Sequence, residues 1–183
     1  MTHAARAPRP ARIAIVTVSD RAARGEYEDK GGPGAEEWLR GVITSPMEIA
    51  RHIIPDGRAG VAETLRALVE GGSDLILVTG GTGPAPRDET PEALADVMEK
   101  ELPGFGEEMR RASLAEVPTA ILSRQTAGIR DSSLMILLPG KPAAIATCLN
   151  AVFAAVPYCL DLIGAARVET DPARIKAFRP KAG

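Results

Sequence analysis

The sequence predicts a three-layer α/β protein, in which a mostly parallel sheet lies between helices. Mainly apolar runs at residues 13–18, 75–78 and 134–138 are typical of strands that are buried on both faces of a parallel sheet. The segments between these runs carry apolar residues at helical spacing, and that alternation is typical of such a sheet. The chain has 183 residues, no internal repeat and no long linker, so we expect one domain, at residues 12–165.

The first half of the chain predicts three strands and two helices. The strand at 13–18 is followed by a loop at 22–34, which is rich in glycine and charge, and then by a helix at 35–43. A second strand at 47–54 ends in a Pro-Asp-Gly turn, and Val61, Leu65, Leu68 and Val69 have the spacing of an amphipathic helix. That helix leads to the strand at 75–78.

The second half predicts three helices and one clear strand. Thr90 is suited to cap a helix with Pro91 at its first position, and the Pro-Gly pair at 103–104 ends that helix. A further helix follows at 105–114, residues 120–125 fit a helix or a strand equally well, and the strand at 134–138 precedes a helix at 143–153. We expect a flexible tail at 1–11 and an extended arm at 166–183.

Composition excludes several classes of function. A net charge of −2 and an aromatic content of 3% argue against a partner that is a nucleic acid. No apolar run approaches the roughly 20 residues of a membrane span, and no signal peptide is recognisable, so we expect a cytoplasmic protein. Cys148 and Cys159 form no CxxC pattern and are predicted to be reduced core residues.

Polar or glycine-rich turns follow three of the predicted strands. Because the carboxyl ends of parallel strands meet at one edge of the sheet, we expect these turns to share one pocket, which the turn at Asp56 joins. The three turns are Ser19-Asp20-Arg21, Gly80-Gly81-Thr82-Gly83 and Pro139-Gly140-Lys141.

The residue types in this pocket fit phosphate and a divalent cation. Glycines at 80, 81 and 83 leave backbone N–H groups and the Thr82 hydroxyl open to an anion. Asp56 and Asp88 offer the hard oxygen ligands that Mg²⁺ takes together with phosphate and water. Structural alternatives stay open: a tight βα connection for the glycines, a turn former for Asp56, a helix N-terminal charge for Asp88, and solvated side chains for Lys141 and Glu107.

Familiar phosphate and nucleophile motifs are absent from the sequence. There is no GxxxxGK[ST] loop, and Pro86 stands where a dinucleotide fingerprint requires Gly or Ala. No nucleophile elbow occurs either. P-loop NTPases, Rossmann oxidoreductases and serine hydrolases are therefore disfavoured.

The run TGGTGPAPRDETPEA at 79–93 resembles the signature of the MogA/MoaB family of molybdenum cofactor biosynthesis proteins, and in particular its molybdopterin adenylyltransferases. Further blocks occur in the family's order, including VSDRAARGEYEDKGG at 18–32, IIPDG at 53–57 and LLPGKPAAIATCL at 137–149. The resemblance covers nearly all of residues 12–163. Between 142 and 157 the chain is shorter than some relatives.

The resemblance implies a trimeric cytoplasmic enzyme that transfers AMP from Mg-ATP to the terminal phosphate of molybdopterin and passes the product to a molybdenum insertase. It assigns Asp56 and Asp88 as the catalytic and Mg²⁺-binding carboxylates. It assigns as binding residues Ser19, Asp20, Gly80, Gly81, Thr82, Gly83, Glu107, Ser113, Pro139, Gly140 and Lys141. Two alternatives remain, a MoaB-like homologue that binds pterin or nucleotide without efficient catalysis, and a scaffold for assembly.

Overall fold

The computed structural model describes residues 9–181 as one sheet of six strands with seven α-helices. The strands are β1 (Ala11–Val18), β2 (Met47–Ile54), β3 (Leu75–Thr79), β4 (Lys100–Glu101), β5 (Ala127–Arg130) and β6 (Ser133–Leu138). The helices are α1 (Asp20–Ala23), α2 (Gly31–Val42), α3 (Arg58–Glu70), α4 (Thr90–Ala95), α5 (Pro103–Leu114), α6 (Pro142–Val152) and α7 (Val156–Leu162).

The sheet has the order β2-β1-β3-β6-β5-β4, and its first four strands are parallel. β5 runs antiparallel to β6, and β4 runs antiparallel to β5. The predicted mostly parallel sheet is therefore confirmed. β4 and β5 were not predicted, because two and four residues with little apolar character give no strand signal.

Alternating side chains divide the core into two layers, one on each face of the sheet. Ile13, Ile15, Leu75 and Leu77 pack with apolar residues of α2, α5, α6 and α7. On the other face Ala14, Val16, Ile76 and Val78 pack with residues of α3 and α4. Strand residues buried on both faces explain the continuous apolar runs in the sequence.

The central strands bring their carboxyl ends to one edge. Thr79 is paired with Thr17 of β1 and with Leu138 of β6, so the turns that follow these strands begin side by side. The Gly80 N–H donates to the Leu138 carbonyl at 3.2 Å. A Cβ at Gly80 would lie 2.3 Å from the Val18 carbonyl oxygen, so only glycine permits this close approach of β3 to β1.

Four local predictions are corrected by the structure. Residues 22–34 are not all loop, because α1 extends through Ala23 and α2 begins at Gly31. Thr90 is the first residue of α4 and its hydroxyl donates to the Gly80 carbonyl, so it does not cap the helix. Pro103 lies in the first turn of α5, where a missing N–H is tolerated. Residues 118–122 form a 3₁₀ turn rather than a strand or an α-helix.

The two ends of the described chain pack against the domain. Ala11 already belongs to β1, and the Arg9 guanidinium pairs with Asp74, so the expected tail at 1–11 is too long; residues 1–8 lie outside the described part. In the expected arm at 166–183, Val168 and Ile175 are buried in the core and Arg179 pairs with Asp161. The last two residues of that arm also lie outside the described part.

The helical stretch at 142–162 is long and apolar enough to cross a membrane by length and composition alone. It comprises α6, a short 3₁₀ turn and α7. Its apolar side chains, among them Ile145, Leu149 and Phe153, are buried with those of the sheet. That packing is typical of a core helix and accounts for the apolar composition.

Candidate anion-binding site

The glycine turn after β3 presents three backbone donors without acceptors. Gly80 and Gly81 have φ angles of 99° and 65°, and their carbonyls accept hydrogen bonds from the hydroxyl and the N–H of Thr90 at 3.0 and 3.1 Å. Within residues 9–181, no hydrogen bond is made by the N–H of Gly81, Thr82 or Gly83. Thr82 is 6% exposed, and a buried N–H without a partner is rare in folded proteins. Successive donors of this kind suit an anion.

A pocket of about 570 Å³ opens beside these donors. One wall is the glycine turn, and the facing walls come from α5, the segment at 116–125 and the start of α6. The predicted site residues that line it are Gly80, Gly81, Thr82, Gly83, Asp88, Ser113, Pro139, Gly140 and Lys141. The structure therefore brings together the turns after β3 and β6, as the parallel sheet predicted.

Two carboxylates flank the glycine turn. A Cβ at Gly81 would lie 3.4 Å from Asp56 Oδ1, and a Cβ at Gly83 would lie 2.7 Å from Asp88 Oδ2. The Ala85 N–H donates to Asp88 Oδ2 at 3.0 Å, and the Asp20 N–H donates to Asp56 Oδ2 at 2.8 Å. Each aspartate thus has one oxygen held by a backbone donor, while Oδ1 accepts no hydrogen bond from the part of the chain described.

The turn after β1 contacts the site through Asp56. Ser19 accepts a hydrogen bond from the Ala22 N–H and so caps α1. Both carboxylate oxygens of Asp20 are engaged, because Oδ1 accepts from the Asp56 N–H and both oxygens accept from the Arg87 guanidinium. Neither Ser19 nor Asp20 lines the pocket. Asp56 does not line it either, and its position is fixed by the two hydrogen bonds that it exchanges with Asp20.

The turn after β6 is held to β3 by one hydroxyl. Thr79 donates to the Pro139 carbonyl at 2.8 Å, and Lys141 precedes α6, where its carbonyl accepts from the Ile145 N–H. A Cβ at Gly31 would lie 3.1 Å from the Gly140 carbonyl oxygen. The amino end of α2 therefore packs closely against this turn, and the Lys141 ammonium is the cationic side chain that this turn brings to the pocket.

Ser113 and Glu107 lie on α5, but in different surroundings. Ser113 lines the pocket and contacts Cys148 Sγ at 3.6 Å, while Gln125 donates to the same sulfur at 3.3 Å. Burial raises the pKa of the Cys148 thiol, although these two hydrogen bonds oppose the rise, so the thiol stays protonated at neutral pH. Glu107 instead lines a neighbouring groove of about 490 Å³. The structure therefore separates Glu107 from the nine predicted residues that line the pocket.

Two residues near the site have contacts that the sequence did not predict: Asp29 was not singled out, and Arg124 lies in a block of the family resemblance, at 118–130, that gives it no definite role. Asp29 accepts hydrogen bonds from the Thr17 hydroxyl at 2.9 Å and from the Gly32 N–H at 3.1 Å, and so orders the start of α2. Arg124 donates to the carbonyls of Gly83 and Asp88 and to the Glu92 carboxylate. The hydrogen bond from Arg124 lowers the pKa of the Glu92 carboxyl, and burial, which raises that pKa, offsets only part of the effect. Both residues lie in blocks of the family resemblance, but no local pattern distinguishes them.

The donor set fits a metal that is bound jointly with a phosphate ligand. Among residues 9–181, no group of three or more His, Cys, Asp or Glu side chains is placed to share a metal ion. Mg²⁺ commonly binds through one or two carboxylates and takes its other ligands from water and phosphate. Asp56 and Asp88, each with one oxygen that accepts no hydrogen bond, match that requirement beside the glycine turn.

Comparison with known proteins places the chain in a family. The model of the family described as "probable molybdopterin binding domain" matches residues 14–158, which include the glycine turn and both flanking aspartates. The chain belongs to this family. The resemblance found in the sequence is thereby confirmed.

Relatives within the family are molybdopterin adenylyltransferases. The enzyme of Escherichia coli (strain K12) is 49% identical, over 93% of this chain and 94% of that protein. The enzyme of Helicobacter pylori (strain J99) is 51% identical, over 92% of this chain and 97% of that protein. The crystal structure of the molybdopterin biosynthesis enzyme MoaB from Thermus thermophilus has a TM-score of 0.76 and is 41% identical, over 84% of this chain and 96% of that one.

Proposed function

We propose that this protein is a molybdopterin adenylyltransferase that transfers AMP from Mg-ATP to the terminal phosphate of molybdopterin and releases pyrophosphate. The observation that carries this proposal is the row of N–H groups at Gly81, Thr82 and Gly83 that have no acceptor within residues 9–181, with a carboxylate at each end. Donors alone would suit any anion. Donors between two carboxylates suit a polyphosphate that brings a divalent cation with it.

The reaction needs positioning more than acid–base chemistry. A phosphate oxygen of molybdopterin is already anionic and attacks the α-phosphorus of ATP, while the bond from that phosphorus to the oxygen bridging to the β-phosphate breaks. The two substrates repel each other, so the protein must hold them in line and offset their charge. The N–H groups of the glycine turn and the Lys141 ammonium supply positive potential for this purpose.

Asp56 and Asp88 are the residues that would hold Mg²⁺. The ion, when bound with the triphosphate, neutralises negative charge on the oxygens of the leaving pyrophosphate. Asp56 is kept in place by the turn at Asp20, and Asp88 by the Ala85 N–H. The two carboxylates lie at opposite ends of the glycine turn, from where they would hold the ion together with the phosphate.

The decisive experiment is the release of pyrophosphate from ATP when molybdopterin is added to the purified protein. Release that depends on both substrates, with adenylyl-molybdopterin as the second product, is expected. A MoaB-like binding protein would bind pterin or nucleotide in the same assay and release no pyrophosphate. That result would refute the enzymatic assignment.

The setting of the reaction is part of the proposal. We propose a homotrimer in the cytoplasm that passes adenylyl-molybdopterin to a molybdenum insertase, in keeping with the family resemblance. Light scattering of the purified protein tests the trimer. Transfer of the product to an added insertase, measured as metal-loaded cofactor, tests the partner.

A further inference from the structure

Arg124 connects the two ends of the segment that follows the glycine turn. Its Nε donates to the Gly83 carbonyl at 2.9 Å, and its Nη2 donates to the Asp88 carbonyl at 2.5 Å. Its own backbone N–H donates to the Thr82 carbonyl at 2.8 Å. A single residue of the 118–126 segment therefore binds three carbonyls of the segment that carries the candidate site.

These contacts orient the unpaired donors. Across a trans peptide bond the carbonyl of one residue and the N–H of the next point in opposite directions. Thr90 holds the Gly80 and Gly81 carbonyls on one side, which turns the N–H groups of Gly81 and Thr82 to the other. Arg124 holds the Thr82 carbonyl, which turns the Gly83 N–H away from Arg124. Thr90 and Arg124 together explain why three successive N–H groups have no acceptor in residues 9–181.

We propose that Arg124 is a positioning residue, whose guanidinium holds Gly83 and Asp88 together so that the turn's N–H groups and the Asp88 carboxylate act on one bound phosphate. The inference rests on the proposed function, because it assigns that function's phosphate site a supporting residue. Without this connection, Asp88 would be held near Gly83 only by its hydrogen bonds with Ala85 and by those of Thr90 with the glycine turn. A Cβ at Gly83 would lie 2.7 Å from Asp88 Oδ2, so the two residues are in close contact in this structure.

The hydrogen bonds of Arg124 argue against a direct contact with phosphate. A guanidinium has five N–H donors, and this one makes four hydrogen bonds, to Gly83, Asp88 and both oxygens of Glu92. The Glu92 carboxylate also balances its charge. An arginine that binds a phosphate directly needs free donors and an unbalanced charge. Arg124 has only one donor left and its charge is balanced by Glu92, so it acts through the segment it holds.

Binding of inorganic pyrophosphate with Mg²⁺ tests this role apart from turnover. Calorimetry should show a dissociation constant about 10-fold or more higher for Arg124→Gln, the size of effect usual for residues that orient a ligand group. Arg124→Lys keeps the charge but lacks the planar fork, so it should restore less than half of the lost binding free energy. Amide signals of Gly81, Thr82 and Gly83 should shift on titration in the wild type and much less in Arg124→Gln.

Two further variants separate the possible roles. Glu92→Gln removes the charge that balances the Arg124 guanidinium. If Arg124 bound phosphate directly, this variant would bind pyrophosphate more tightly. If Arg124 is a positioning residue, the variant should bind pyrophosphate as tightly as the wild type or more weakly. Arg130→Gln is the matched control, because Arg130 also donates to a carbonyl, but to that of Val97, which lies outside the segment that carries the site. It should bind pyrophosphate as the wild type does.

Three outcomes would overturn the proposal: wild-type affinity in Arg124→Gln, full restoration by Arg124→Lys, or tighter binding in Glu92→Gln. Circular dichroism of each variant establishes that it is folded before affinities are compared. If Arg124→Gln does not fold, Arg124→Lys takes its place in the comparison with the wild type. Failure of the proposed function would appear differently, as a wild-type protein that binds pyrophosphate but releases none from ATP and molybdopterin.

Discussion

Asp20 and Asp56 each accept a hydrogen bond from the backbone N–H of the other. The Asp20 N–H donates to Asp56 Oδ2 at 2.8 Å, and the Asp56 N–H donates to Asp20 Oδ1 at 3.1 Å. The pair joins the turns after β1 and β2, and Arg87 adds a charged contact to Asp20. The orientation of Asp56 therefore depends on a residue that does not line the pocket.

Replacement of Asp20 by Ala should lower the turnover number for AMP transfer about 10- to 100-fold, since a residue that orients a metal ligand usually has an effect of that size. Asp20→Asn retains an oxygen that can accept from the Asp56 N–H, so its loss should be smaller. Steady-state kinetics of both variants measures the difference. Equal losses in Asn and Ala would mean that Asp20 acts through its charge and not through this hydrogen bond.

Asp88→Asn should reduce adenylylation by at least about 100-fold while molybdopterin still binds, because an amide is a poor ligand for Mg²⁺ but has the same shape. Pyrophosphate release measures the first effect, and fluorescence titration with the pterin measures the second. Asp131→Asn is a suitable control, because Asp131 lies in the turn between β5 and β6, away from the pocket. Near-normal turnover in Asp88→Asn would remove Asp88 from the catalytic site.

Gly81→Ala should lower both stability and phosphate binding. Its φ of 65° is unfavourable for alanine, and the added Cβ would lie 2.2 Å from Thr90 Oγ1. Thr90 would have to move, so we expect a loss of roughly 3 kcal/mol in the free energy of unfolding. Gly104→Ala is the control, because a Cβ there meets nothing within 4 Å. Chemical denaturation of both variants tests the contrast, and equal stabilities would contradict it.

Asp74 should make the stability of the protein sensitive to acid. Burial raises the pKa of Asp74, but hydrogen bonds from Arg9 and from the N–H groups of Arg12 and Ala166 outweigh this effect and lower it overall. At a given pH the Asp74 carboxylate is therefore protonated more readily in the unfolded chain than in the folded protein. The contribution of Asp74 to the free energy of unfolding is complete above about pH 4, the ordinary pKa of Asp, and is lost as the pH falls through the lowered pKa of the folded state.

Asp74→Asn should therefore cost roughly 3 kcal/mol near neutral pH, since it leaves buried donors poorly paired, and progressively less in acid. Urea denaturation of wild type and variant at several pH values between about 2 and 7 measures the difference. A difference that does not depend on pH would show that the charge of Asp74 is not responsible.

The parallel part of the fold and the side of the pocket formed by the strand-end turns could be predicted from the sequence because their signals are local. Buried strands such as Leu75–Thr79 are continuous apolar runs, and each ends in a turn whose residues are chemically distinctive. The structure also confirms that Gly80 to Gly83 and Pro139 to Lys141 share one pocket.

Features that depend on distant contacts were not predictable. β5 pairs with β6 through four residues with little apolar character, and only the neighbouring strand makes them a strand. The role of Arg124 depends on carbonyls far away in the sequence, and Glu107 was assigned to the pocket although α5 turns it into the adjacent groove. In each case the side chain alone does not specify its neighbours.

The hydrogen bond from the Gly80 N–H to the Leu138 carbonyl has a consequence for synthesis of the protein. The ribosome makes the glycine turn before it makes β6, so β3 can pair with β1 but not with β6 when the turn leaves the exit tunnel. A nascent chain that stops before Ser133 should bind neither nucleotide nor pterin. Cells that carry such truncated chains would therefore lack the activity entirely, and the fragments would not compete for substrate with the complete protein.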